Sequence, residues 1–273
     1  MKPLRLGALE VLRIEEMLWP VPLTFLFPQL SLADVAPHAA WLQPRFFSPD
    51  WQMVLSLHAF LVRTPHHTVL VDTCVGNDKE RAYPEWNRMH TDFLGRLRAA
   101  GVAPEEVDFV FCTHFHGDHV GWNTRLDNGR WVPTFPNARY LFHRAEYEYW
   151  ERVEMPGGSG NTRRDAFEDS VLPVVTAGQA VLVDGDHAID DQIHLASRRG
   201  HISCHHTSPA ALEVIGGNRL GEATQSGTIG RKRTHRATMD DALSGFKCPG
   251  RRAARWAAGC RRPGRCRTAS PLC

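Results

Sequence analysis

The sequence predicts a mixed α/β (α+β) fold, and two observations carry that prediction. Short apolar, β-branched runs recur at 53–62, 68–72, 107–112, 138–142, 180–183 and 192–195. Segments with helical spacing fall between and after them, at 89–100, 144–151 and 163–172. Strands and helices that mix along one chain define this class, and the absence of an internal repeat argues against a solenoid.

Each element has its own signal. Residues 4–17 alternate well enough for a first strand. Residues 18–50 carry Pro20, Pro22, Pro28, Pro37, Pro44 and Pro49, which exclude a long helix; the segment reads as a long surface loop with at most one helical turn, of the kind that serves as a lid. The runs 53–62 and 68–72, joined through Thr64-Pro65-His66, read as a β-hairpin. In 89–100, Phe93, Leu94 and Leu97 share a helical face and Gly101 suits the C-terminal cap. Residues 107–112 (VDFVFC) form a buried strand. Residues 138–142 are another, and the helices 144–151 and 163–172 are split by Gly157-Gly158-Ser159-Gly160.

Composition narrows the function classes. At 273 residues, 42% hydrophobic and 23% charged, the chain is ordinary for a globular protein and unlike a disordered, collagenous or coiled-coil one. No run approaches the roughly 18 apolar residues of a membrane span. Glu10, Arg13, Glu15 and Glu16 interrupt any signal-peptide core, so the expected location is the cytoplasm. Seven cysteines without a CxxC pair argue against a disulfide framework. The net charge of +2 hides an asymmetry: residues 231–273 carry twelve Lys and Arg against Asp240 and Asp241, a net +10, which leaves −8 on the rest. Leu243 and Leu272 are the only Leu, Ile or Val in that stretch. Such a segment cannot bury enough apolar surface to order itself, so the chain divides into a folded body over 1–230 and a disordered basic tail over 231–273.

The chemistry concentrates in Thr113-His114-Phe115-His116-Gly117-Asp118-His119-Val120-Gly121, directly after an apolar strand. Imidazole nitrogens and a carboxylate suit Zn²⁺, and also Fe or Mn. From extended backbone His114 and His116 point the same way and can share one metal; Asp118 and His119 follow in the turn and can serve a second. No Ser/His/Asp triad or glycine-rich phosphate loop offers another nucleophile.

THFHGDHVG resembles the signature of the metallo-β-lactamase-fold superfamily. Residues 71–87 and 113–142 are similar to the branch that holds N-acyl-homoserine lactonases and methyl parathion hydrolase. The resemblance implies a four-layer αβ/βα sandwich with a dinuclear site at one edge of two sheets. It implies His114, His116 and His201 (from Gly200-His201-Ile202-Ser203-Cys204-His205) on the first metal, Asp118 and His119 on the second, and Asp72 orienting a ligand by hydrogen bonding. His205 falls near the ions without binding one. A metal-bound hydroxide would attack an ester, lactone or related bond of a small molecule, and Asp118 would help protonate the leaving group.

The resemblance weakens beyond His206. The family's bridging Asp is matched only by Glu222, which has the longer carboxylate, or by Asp241, which lies farther on; His235 is the only later histidine. The tail's Arg-, Gly-, Ala-, Pro- and Cys-rich mix is what a GC-rich coding sequence yields out of frame. The second half of the sandwich is therefore expected to be incomplete. Three functions follow in order: a zinc hydrolase with one or two ions per chain, a catalytically impaired or inactive relative, and a basic-tailed protein binding nucleic acid or an anionic surface. The scarcity of aromatics in the tail disfavours nucleic acid. Oligomeric state has no signature in the sequence.

Overall fold

The structure, a computed structural model, describes residues 3–152 and 165–197, together with the backbone of two strands at 210–214 and 237–238. Its centre is a seven-stranded mixed sheet in the order β1-β2-β3-β4-β5-β8-β9. The strands are β1 (Leu4–Leu6), β2 (Leu9–Val21), β3 (Met53–Arg63), β4 (Thr68–Val71), β5 (Phe109–Phe111), β8 (Arg139–His143) and β9 (Ala180–Val183). The first four are antiparallel neighbours; β4, β5, β8 and β9 run parallel. A two-stranded ribbon, β6 (Thr124–Asp127) and β7 (Arg130–Pro133), hangs between β5 and β8. A second sheet orders β10 (His187–Ala188), β11 (Ile193–Ser197), β12 (Ala210–Val214) and β13 (Ala237–Thr238).

Both faces of the large sheet are covered, which is why its parallel strands read as continuous apolar runs. On one face Leu61, Leu70, Val110, Tyr140 and Phe142 pack against Phe93 and Leu97 of α3 (Phe93–Ala99), Trp150 of α5 (Arg144–Arg152) and Val174 of α6 (Leu172–Thr176). On the other face Val62, Val69, Phe111 and Leu141 meet Ile193 and Leu195 of the second sheet. Helices, sheet and sheet thus stack as layers of the predicted sandwich. A third cluster of Trp19, Val21, Leu42, Phe47, Met53, Val75 and Trp86 roots the segment after β2.

Four expectations need correction. Residues 4–17 are not one strand: the chain turns at Gly7, with φ of 62°, and continues as β2 to Val21. Pro20 is tolerated because β1 ends its pairing at Val11, so β2 has an open edge there. Residues 22–50 hold several short helical pieces rather than one turn, among them α1 (Leu32–Val35) and α2 (Ala39–Leu42). Ser31 starts α1, its backbone N–H donating to Asp34 at 2.8 Å, and the prolines limit each piece to a turn or so. Helix α3 starts at Phe93, not at residue 89, because Thr91 is held outside it by Asn77. The last helix runs on to Thr176 through a wide π turn at Phe167–Val171; residues 163 and 164 lie outside the described residues. The β6–β7 hairpin went unpredicted although its turn, Asn128-Gly129, has φ of 48° and 75°, the backbone that Asn-Gly favours in a two-residue hairpin.

Candidate metal centre

The parallel strands β4 and β5 both end at one edge of the sheet, the edge where open α/β sheets place ligands. Asp72 follows β4 directly, and residues 112–123 follow β5. His114 and His116 lie on irregular backbone; His116 is extended (φ −68°, ψ 153°) and precedes α4 (Gly117–Val120), whose turn carries Asp118 and His119. The three imidazoles gather closely. The His114 ring centroid lies 4.5 Å from that of His116 and 3.9 Å from that of His119. Asp118 Oδ2 stands 3.5 Å from His119 Nε2.

Asp72 organises this cluster. Its Oδ1 accepts from the Thr113 backbone N–H at 2.8 Å, and its Oδ2 lies 2.7 Å from His119 Nδ1. Thr113 Oγ1, bonded to Asp72, is 3.0 Å from His114 Nδ1. A metal-bound imidazole coordinates through one nitrogen and is oriented through the other. His114 and His119 are both held at Nδ1 in that pattern, so the donor set suits a borderline cation such as zinc in kind and in orientation. Asp72 itself has a φ of 57° and Cys74 one of 53°, left-handed values that are uncommon outside glycine.

The electrostatics follow from proximity. Burial would raise the Asp118 carboxyl, but the neighbouring His119, His114 and His116 rings override it and hold the group below the usual carboxylate range. Burial likewise opposes a charged His119, yet the Asp118 and Asp72 carboxylates raise it well above an ordinary imidazole.

Two carboxylates that sequence reasoning missed hold the backbone of the site. Glu146 of α5, 5% exposed, accepts from the Phe115 N–H at 3.0 Å, midway between His114 and His116, and from Trp150 Nε1 at 2.8 Å. Glu16 of β2, 2% exposed, reaches the loop after Asp72 and the turn after His119. Glu16's signal was an acid inside an otherwise alternating strand.

The remaining predicted residues are not brought to the cluster by anything described. His201, His205, Glu222 and Asp241 lie outside the described residues, as does the tail apart from 237–238, whose backbone pairs with 213–214. Among the described residues no group of three or more His, Cys, Asp and Glu is arranged to hold an ion by itself.

A layered αβ sandwich with a His-x-His-x-Asp-His turn at the C-terminal edge of its large sheet defines a class of metal-dependent hydrolase folds. Residues 54–218, more than half of the chain, match the family described as the metallo-beta-lactamase superfamily, and the chain belongs to it. An N-acyl homoserine lactonase AttM of Rhizobium johnstonii is 37% identical over 72 residues, 26% of this chain and 24% of that protein. Metallo-beta-lactamase domain-containing protein 1 of Xenopus laevis is 34% identical over 96 residues, 34% of this chain and 36% of that protein. The chain thus matches about a quarter to a third of these relatives' length. Among solved structures, a probable metal-dependent hydrolase from Staphylococcus aureus superposes with a TM-score of 0.59 at 15% identity, covering 77% of this chain and 70% of that one. The dizinc quorum-quenching lactonase AidC superposes with a TM-score of 0.58 at 19% identity, covering 80% and 71%. At these identities the two structures establish the fold alone. Among the described residues no helix is long and apolar enough to cross a membrane.

Proposed function

We propose that this chain is a metal-dependent hydrolase, with zinc as its ion, that opens a lactone or another ester of a small molecule in the cytoplasm. The observation that carries the reading is the cluster of His114, His116, Asp118 and His119 with Asp72 and Thr113 fixing two of its rings at Nδ1. The lactonase name of AttM favours a lactone among the esters. His114 and His116, joined by His201, would hold one ion. Asp118 and His119 would hold a second, with Glu222 or Asp241 as the shared carboxylate and His205 nearby. Zinc bound there would lower the pKa of a coordinated water and polarise the scissile carbonyl. Asp72 keeps His119 in one tautomer and one orientation, and Asp118, whose side chain is 31% exposed, is the group assigned to pass a proton to the leaving alkoxide.

A second reading, a catalytically impaired relative, is favoured by one observation: the family match ends at residue 218, before both Glu222 and Asp241. Metal analysis of the purified protein, followed by turnover of a lactone, ester and phosphotriester panel under zinc titration, separates the two. Two ions per chain with turnover support the hydrolase. A single ion with turnover reduced roughly a thousandfold supports the impaired relative, since one of two stabilising charges is then missing. No ion and no turnover at saturating zinc overturn the proposal.

A further inference from the structure

Strand β2 pairs in register with β3 from Glu10↔Arg63 to Glu15↔His58, then resumes at Met17↔Leu57. Glu16 is therefore the extra residue of a β-bulge. Before it, Ile14 points into the main core; after it, Trp19 and Val21 fill the third cluster, so the inward parity changes from even to odd. Glu16 keeps the inward parity of Ile14 while the residues after it are re-aimed, and such bulges are over-represented beside functional sites. Arg96 of α3 stitches the bulge in place, donating through Nη1 to the carbonyl oxygens of Glu15 at 2.6 Å and Glu16 at 2.9 Å.

The Glu16 carboxylate is buried and accepts four hydrogen bonds. The backbone N–H groups of Val75 and Gly76 donate at 2.8 and 3.2 Å, Thr91 Oγ1 at 3.1 Å, and the Trp122 indole N–H at 2.6 Å. Val75 and Gly76 end the loop that starts at Asp72; Trp122 ends the turn that contains His119. These two segments are zipped to each other. The Thr73 N–H donates to the His119 carbonyl at 2.7 Å, that of Gly121 to Cys74 at 2.7 Å, and that of Trp122 to Thr73 at 2.8 Å. At one end of the zip stands the Asp72–His119 contact; at the other stands Glu16.

We propose that Glu16 is a positioning residue of the metal centre: from its bulge it clamps the loop 72–76 onto the turn 119–122 and thereby sets the Asp72–His119 hydrogen bond. The inference rests on the reading of the cluster as a metal centre, and it deepens that reading. Glu16 touches neither ion nor substrate. It acts through the backbone that carries Asp72 and His119, so its effect falls on the Asp118–His119 half of the site rather than on His114 and His116.

The test uses full-length protein stripped with chelator, as wild type and as Glu16→Gln, Trp122→Phe and Val107→Ala. The last is a core truncation hydrogen-bonded to neither segment and controls for general loss of stability. Trp122→Phe removes the indole donor together with part of a ring stacked on Phe93, a packing loss that Val107→Ala controls for, and it covers the case in which Glu16→Gln does not fold. The His119 Nδ1–H resonance is read by NMR without metal, and zinc or cobalt(II) titration then resolves the ions bound. In Glu16→Gln and Trp122→Phe the Nδ1–H resonance shifts or is lost, and affinity for the ion at His119 falls about tenfold or more, the usual effect of disturbing a ligand's hydrogen-bonded support. Val107→Ala changes neither. An unchanged His119 resonance in both clamp variants overturns the proposal, whether or not metal binds. Wild-type protein that shows the resonance but takes up no ion defeats the metal-centre reading instead.

Discussion

The backbone carbonyl oxygen of Val75 lies 1.8 Å from the point that a Cβ on Gly121 would occupy. Gly121 has ordinary helical angles (φ −58°), so the position demands glycine for space alone. Gly121→Ala is therefore expected to push the loop 72–76 off the turn 119–122, at a cost of about 1–3 kcal/mol or more. Thermal unfolding together with zinc uptake checks this; a melting temperature and an uptake equal to wild type would show that the two segments are not locked together.

Glu146 is expected to behave differently as Ala and as Gln. One oxygen, Oε1, accepts from both Phe115 N–H and Trp150 Nε1. Glu146→Gln can keep that oxygen and should remain close to wild type. Glu146→Ala removes the acceptor of the buried Phe115 N–H and one held by Trp150, at about 1–3 kcal/mol for the backbone donor. Urea denaturation of both variants is the measurement, and equal stabilities would contradict the assignment.

Removal of either imidazole, by His114→Ala or His116→Ala, should lower bound zinc and abolish any hydrolysis, because the second half of the cluster cannot supply the missing nitrogen. Metal content unchanged in both variants would reject their place in the site.

Asp72→Asn keeps the shape of the side chain and loses its charge. Its oxygens now hold Thr113 and His119. Zinc affinity should fall about 10- to 100-fold, with the fold intact by circular dichroism. An affinity within twofold of wild type would remove Asp72 from the role of orienting His119.

Lys79 provides a pH-dependent signal away from the ligands. Its ammonium is fully buried, 2.5 Å from Thr124 Oγ1 and 3.6 Å from the centre of the Trp131 ring. Burial pushes it down to about 7, against the attraction of Asp169. Between pH 7 and the unfolded value near 10.4, the unfolded chain binds more protons than the native one, so this group makes stability rise with pH across that window. Below pH 7 both states are protonated and the contribution is flat. Wild type should gain about 2 kcal/mol relative to Lys79→Met between pH 7 and pH 9. Urea midpoints at the two pH values decide it; parallel behaviour of the two proteins would mean that Lys79 titrates normally.

The sequence by itself determined the family and the ligand-bearing turn, and the reason is local. His114, His116, Asp118 and His119 lie within six residues after an apolar strand, so their spacing alone brings them to one sheet edge. The buried strands were legible for a similar reason: 69–71 and 109–112 lie between layers on both faces and read as unbroken apolar runs. The single strand expected over 4–17 failed because Gly7 turns the chain, and the length of β2 was hidden because Pro20 is harmless only where its neighbour has already ended. The supports of the site could be decided only by tertiary structure. Glu16 is 103 residues from His119 in the chain, and its carboxylate meets the site only because the folded sheet brings β2 beside the loops that carry Asp72 and His119. Glu146 looks like any acid on a helix until α5 packs it under the Phe115 amide. A ligand set confined to one turn is written in local spacing, whereas the hydrogen bonds that hold its backbone come from strands and helices that meet it only once the sheet has formed.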